Sequence, residues 1–183
     1  MVFSIFLMIV MLVVTIFAFI LVFFWFTSIV GSGAPFVPVP MKAMPGIVDA
    51  LQLKKDSVVY DMGCGDGRIL LAALEKEPAI RTVGVERAVL PYVLARWKLR
   101  KTRAEVIHGD FFDTDLTPAT HVVLYLFPEL MQKVEKKLME ELKPGTLVLA
   151  VDFTFKDRTP TRVVTQDIPG LKRGVQLSLY EFS

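Results

Sequence analysis

The chain has 183 residues, 53% of them hydrophobic, with 21 Lys and Arg against 19 Asp and Glu and a formal net charge of +2 at pH 7. That length suits one domain beside a short extra segment, and so small a charge excess gives no electrostatic case for nucleic acid as a partner. One cysteine excludes an internal disulfide, and two separated histidines, His108 and His121, give no metal-ligand spacing.

No charged side chain occurs before Lys42, and Val2 to Val30 is nearly all apolar. At about 1.5 Å per helical residue this run exceeds the ~30 Å hydrocarbon core of a bilayer. Residues 1–30 are therefore expected to be a retained transmembrane anchor in the lipid bilayer. A cleaved signal peptide is disfavoured because the basic n-region is missing and the apolar run is too long. Lys42, Lys54 and Lys55 follow the span, which predicts a single-pass membrane protein whose folded domain lies on the cytoplasmic side.

Residues 31–41 carry three prolines and read as a short stiff linker, or else Phe36 and Val37 fold back as a lid. Residues 42–183 form the expected domain. Met44, Ile47, Val48 and Leu51 predict a leading helix from Lys42 to Leu53. A strand from Ser57 to Asp61 precedes a glycine-rich turn and a helix from Arg68 to Lys76. Thr82 to Glu86 is the second strand, Val89 to Lys101 the next helix, and Ala104 to His108 the third strand. The stretch from Phe111 to Thr120 is too short for a full crossover helix. His121 to Leu126 is a buried fourth strand, Pro128 opens a helix ended by Lys143-Pro144-Gly145, and Thr146 to Phe153 is the fifth strand. Arg162 to Ile168 and Val175 to Phe182 close the chain as an antiparallel pair. The alternation predicts an α/β, Rossmann-like domain: a mostly parallel doubly wound sheet with a C-terminal antiparallel hairpin.

The turn carries the chemistry. A dinucleotide-binding turn reads G-x-G-x-x-G, but here the third glycine, Gly67, comes one residue early and Arg68 takes its place. Asp61 and Asp66 would repel a phosphate. S-adenosyl-L-methionine has no phosphate and carries a sulfonium and an ammonium, so acids around Gly63, Gly65 and Gly67 suit it. Glu86, ending the second strand, is placed to accept both ribose hydroxyls. Asp110 and Phe111, after the third strand, are placed to bond to and pack on adenine. Cys64 inside the turn reads as a small packing residue rather than a nucleophile. The basic group Arg96, Lys98, Arg100, Lys101 and Arg103 reads as a solvated helix end, or as a contact for anionic lipid or an acidic partner.

The chain resembles the FAM173 family of membrane-anchored protein-lysine methyltransferases, class I enzymes with a seven-strand fold. The resemblance runs from about Pro35 to Asp157. It rests on Pro35-Phe36-Val37-Pro38 after a membrane span, Asp61-x-Gly63-x-Gly65-Asp66-Gly67-Arg68-Ile69, Val83-Gly84-x-Glu86, Glu135-Lys136-Lys137-Leu138 and Phe153-x-Phe155. It implies methyl transfer from S-adenosylmethionine to a lysine of a membrane protein by direct in-line displacement, without a metal. In that topology Tyr125 and Phe127 end the fourth strand at the cofactor's edge, and Phe36 closes from the other side to bind substrate. Tyr125 and Asp152 are then the catalytic candidates, with Asp152 orienting an ammonium or taking its proton. Tyr125 and Phe127 also read as ordinary core aromatics, and Asp152 as a turn cap. The rival functions are methylation of a lipid or hydrophobic small molecule, and a non-catalytic cofactor-binding role in membrane assembly.

Overall fold

The computed structural model of the protein describes residues 2–32 and 36–182, in two units, Met1–Phe36 and Val37–Ser183. The first holds one helix, α1 (Val2–Ser32). Its segment Phe3–Phe23 has 21 residues, which at ~1.5 Å each matches the ~30 Å apolar thickness of a bilayer. Every side chain from Phe3 to Phe23 is exposed, and this stretch carries no charged residue. It is long and apolar enough to cross a membrane. Gly33, Ala34 and Pro35 of the expected linker lie outside the described residues.

The second unit is α/β, with strands β1 (Val58–Met62), β2 (Arg81–Glu86), β3 (Glu105–His108), β4 (His121–Leu124), β5 (Thr146–Val151), β6 (Arg162–Thr165) and β7 (Gln176–Phe182). They form one sheet in the order β3-β2-β1-β4-β5-β7-β6. The first five strands are mutually parallel, and β7 runs antiparallel between β5 and β6. The helices are α2 (Met44–Ala50), α3 (Arg68–Lys76), α4 (Val89–Lys98) and α5 (Pro128–Glu141). The central strands are buried on both faces, as their unbroken apolar runs require. Val122, Val123, Leu124, Leu149, Ala150 and Val151 are all inaccessible to solvent. One layer of core packs α2 and α3 on the sheet around Ile47, Leu51 and Leu149. The other packs α5 on it through Met131, Val134 and Leu138, together with Tyr180 and Phe182 of β7.

Several boundaries differ from the sequence reading for local reasons. The leading helix is a 3-10 turn, Met41–Ala43, followed by α2, and it stops at Leu51 because Gln52 takes a left-handed backbone (φ 50°). Strand β5 ends at Val151 rather than Phe153 because Asp152 does the same (φ 63°). The compact unit starts at Val37, ahead of Lys42. Val39 is buried, its carbonyl accepts from Arg68 Nη1 at 2.7 Å, and the Ala43 carbonyl accepts from Gln166 Nε2 at 3.3 Å. The residues just before α2 are thus packed domain and not free spacer.

Candidate functional site

Strand order reverses between β2-β1 and β4-β5, and a crevice at the C-terminal ends of parallel strands on such a switch point is where α/β sheets take ligands. The glycine turn lies there, directly after β1. Gly63, Gly65 and Gly67 all have positive φ (81°, 57° and 75°), a conformation that glycine adopts without strain. Gly63 and Cys64 donate to the Val85 carbonyl at 2.9 and 3.0 Å, which binds the turn to the end of β2. Burial raises the Cys64 thiol above its ordinary pKa, with Asp61 and Glu86 adding to it; Cys64 is an inert packing group.

Asp61 is 2% exposed, and its Oδ2 has no hydrogen-bond partner among the described residues. Burial pushes its carboxyl up to about 8, helped by the charges of Glu86 and Asp66. An unpaired buried polar atom costs about 1–3 kcal/mol, and a cationic ligand group would remove that cost by supplying both charge and donors. A phosphate would worsen it. The orphaned Asp61 oxygen thus fits a cofactor that carries an ammonium and a sulfonium.

Glu86 is nearly buried, and both its oxygens are engaged: Oε2 accepts from Gly65 N at 2.9 Å and Oε1 from Ala88 N at 2.7 Å. A carboxylate has about four acceptor positions, so one on each oxygen is left for a ribose hydroxyl. Glu86 therefore braces the turn and retains its expected acceptor capacity. Asp110 caps the 3-10 turn Phe111–Asp113, accepting from Phe112 N at 3.0 Å and pairing with Arg87 at 3.4 Å. Phe111 is half-buried, 4.6 Å from the Phe112 ring centroid, and stays available as an adenine-packing surface.

Two expected cofactor residues have other duties. Asp66 holds Arg68 through two bonds of 2.8 Å, Nε to Oδ1 and Nη2 to Oδ2, and also binds Lys98 of α4. Burial would raise its carboxyl, but the hydrogen bonds and charges of Arg68 and Lys98 bring it down to about 2. With two cations already on it, Asp66 braces the turn against α3, α4 and Val39. Gly67 N-caps α3, and a Cβ there would lie 2.7 Å from Leu99 and 3.3 Å from Ala95. Gly67 is small so that α4 can approach.

At the neighbouring strand ends, Tyr125, Phe127 and Phe153 form an aromatic group, with Phe153 6.3 Å from Tyr125 and 6.2 Å from Phe127 between ring centroids. Phe153 is not among the candidates that the sequence marks; its clue is the Phe153-x-Phe155 pair. Burial raises the Tyr125 phenol, and Asp152 adds to this against Arg173, so Tyr125 is neutral at pH 7. Asp152 has the contacts of the turn cap that its position also suggested. Its carboxylate accepts three backbone N–H groups, from Gly174 (2.6 Å), Val175 (3.0 Å) and Gln176 (3.2 Å). It is a turn cap that fixes where Phe153 leaves β5. Phe36 is exposed and belongs to the N-terminal unit. The described residues contain no group of His, Cys, Asp and Glu able to hold a metal ion.

Comparison with known proteins places this geometry among methyltransferases. The family model of the ANTKMT methyltransferase domain matches residues 61–162. A protein-lysine N-methyltransferase of Saccharolobus islandicus is 32% identical over 147 residues, covering 78% of this chain and 91% of that protein. A human lysine N-methyltransferase, named for a subunit of ATP synthase, is 36% identical over 141 residues, 73% of this chain and 58% of the human one. Among solved structures, an RNA methyltransferase from Salinibacter ruber in complex with S-adenosyl-L-homocysteine superposes with a TM-score of 0.72 at 32% identity, over 80% of this chain and 94% of that one.

Proposed function

Because the chain belongs to the ANTKMT (FAM173) family of methyltransferases, enzymes that use S-adenosylmethionine, we propose that it methylates a lysine side chain of a membrane protein. The observation that carries the lysine reading is the aromatic group Tyr125, Phe127 and Phe153 beside the cofactor turn. A lysine with the ordinary pKa of ~10.4 is almost wholly protonated at pH 7, and presenting its neutral amine costs about 4–5 kcal/mol. A mouth walled by aromatic rings disfavours the charged form by desolvation and so lowers that cost. The names of the Saccharolobus and human relatives support a protein-lysine target, and α1 supports one held in a membrane.

Asp61 would hold the cationic end of the cofactor, Glu86 its ribose, and Asp110 with Phe111 its adenine. Gly63 and Gly65 let the backbone approach. When bound, S-adenosylmethionine supplies a methyl group on a sulfonium, open to direct in-line displacement by an amine. Positioning is the chain's main contribution. Tyr125, held neutral, orients the amine through its hydroxyl without acting as a phenolate base, and Phe127 with Phe153 excludes water. Asp152 already accepts three backbone N–H groups, so in this reading the lysine gives up its proton to solvent as it enters. A cytoplasmic orientation of the domain belongs to the same proposal.

The test is to incubate the full-length protein with methyl-labelled cofactor and, separately, membrane proteins, extracted lipids and RNA, the last because of the Salinibacter neighbour. Label recovered as methyl-lysine from the protein fraction is the expected result. Label confined to lipid or RNA would replace the lysine reading. In the active system, Tyr125→Phe should lower kcat about tenfold, the worth of one hydrogen bond near the reacting amine, and leave cofactor affinity unchanged.

A further inference from the structure

Helix α4 buries one side and leaves another bare. Pro91, Ala95 and Leu99 pack inward, while Val89, Leu90, Val93, Leu94 and Trp97 are 42–64% exposed. At 3.6 residues per turn those five lie within an arc of about 140°, facing away from the buried side. A contiguous apolar face of this kind on a folded domain marks a protein or membrane contact. Its borders decide between them. No acidic residue occurs between Glu86 and Glu105. Arg96, Arg100, Lys101 and Arg103 are exposed around the face, and among the described residues none of the four has a carboxylate partner. The other two cations of the stretch are used inside the domain, Arg87 on Asp110 and Lys98 on Asp66. The Arg100 guanidinium stands 4.4 Å over the Trp97 ring, so this exposed aromatic carries a cation on its face.

We propose that the outer face of α4 is a lipid-contacting surface that seats the domain on an anionic bilayer, in addition to any anchorage through α1. The apolar arc enters the boundary between headgroups and acyl chains, Trp97 takes the interfacial position that suits an amphipathic ring, and the unpaired arginines and lysine meet anionic headgroups. Each such cation near an anionic leaflet strengthens attraction about fivefold. Lipid is favoured over a protein partner because every charged residue from Arg87 to Arg103 is a cation, matching a uniformly anionic surface. The contact would hold the domain at the depth where a lysine of a membrane protein emerges, so it bears on substrate reach in the proposed function without depending on it.

The experiment uses the full chain, in which Trp25 and Trp97 are the two tryptophans. With Trp25→Phe as background, the protein is reconstituted in vesicles of phosphatidylcholine alone or mixed with phosphatidylglycerol, each with brominated acyl chains. In the mixed vesicles Trp97 should lose most of its emission to bromine and become shielded from aqueous acrylamide. The loss should be smaller in phosphatidylcholine alone. Arg96→Glu with Arg100→Glu and Lys101→Glu, or Val93→Asp alone, should restore the emission, with cofactor binding retained as proof of folding. Trp97 open to acrylamide and untouched by bromolipid in both vesicles would overturn the proposal. So would shielding that arises only on adding a soluble partner or rises with protein concentration, which would assign the face to a protein or a second copy.

Discussion

At the scale of single residues, Asp61 makes the site pH-dependent. Its carboxyl is pushed up to about 8 in the cofactor-free protein, so at pH 7 it holds a proton that a cationic ligand must expel. Binding of S-adenosylmethionine should therefore release protons at pH 7 and tighten from pH 6 toward 8. Calorimetry in buffers of different ionisation enthalpy measures both. Asp61→Asn should abolish the proton release and weaken binding by about 1.5–3 kcal/mol, the range of a charged hydrogen bond. The stability sign runs the other way. Between about pH 4 and 8 the native chain keeps a proton that the unfolded chain has lost, so cofactor-free stability should fall as pH rises across that window. The Asn variant should melt with a flatter pH dependence there. Asp66, lowered to about 2, contributes stability that is present above pH 4 and lost on acidification toward 2, a separate window. Glu86 joins two duties in one carboxylate. Glu86→Ala should weaken cofactor binding by about 2–3 kcal/mol, roughly thirty- to a hundredfold. It should also destabilise the free domain, because Gly65 N and Ala88 N lose their acceptor. Affinity near wild type would remove Glu86 from the cofactor site.

At the scale of elements, the turn after β5 separates a structural role from a catalytic one. Asp152→Ala would leave three backbone N–H groups without their acceptor and let Phe153 drift. We expect a stability loss of about 1–3 kcal/mol and a lower kcat. Asp152→Asn keeps one acceptor oxygen and should recover part of both, with the pH-rate profile unchanged in shape. Loss of a titrating limb from that profile would show that Asp152 does handle a proton. The same turn shows what sequence could reveal. Helix α3 was legible to its ends because Gly67 and Arg68 mark its start and the Glu77-Pro78 junction its stop, all local signals. The positions of Asp61 and Glu86 were legible because each lies at the C-terminal end of an apolar strand. The roles of Asp66, Gly67 and Asp152 were not, since they depend on Lys98, Leu99 and Gly174, residues far along the chain that only the folded sheet brings near. Even Asp152's left-handed backbone has no sequence mark, because aspartate adopts that conformation by exception. Phe36 and Val37 divide between the two units, a boundary that composition alone could not draw inside a proline-rich run.

At the scale of the whole molecule, the labour divides between units. The residues proposed to hold the cofactor lie in Val37–Ser183, so deleting Met1 to Val30 should leave a folded domain that binds S-adenosylmethionine with unchanged affinity. Its rate on a membrane-embedded target should drop sharply, since a tether acts by raising local concentration, while its rate on a soluble lysine peptide changes little. Equal rates of the two forms on the embedded target would refute the tethering argument. A last consequence concerns synthesis. Strand β7 is not appended at the margin of the sheet but sits between β5 and β6, with Leu177, Leu179, Tyr180 and Phe182 in the interior. On the ribosome β5 and β6 emerge before β7, so the sheet must keep a gap open until residue 182 has cleared the exit tunnel. Until then β5 offers a bare edge to any other nascent strand. Premature termination anywhere before Gln176 would therefore leave a fragment prone to aggregation in place of a shortened enzyme.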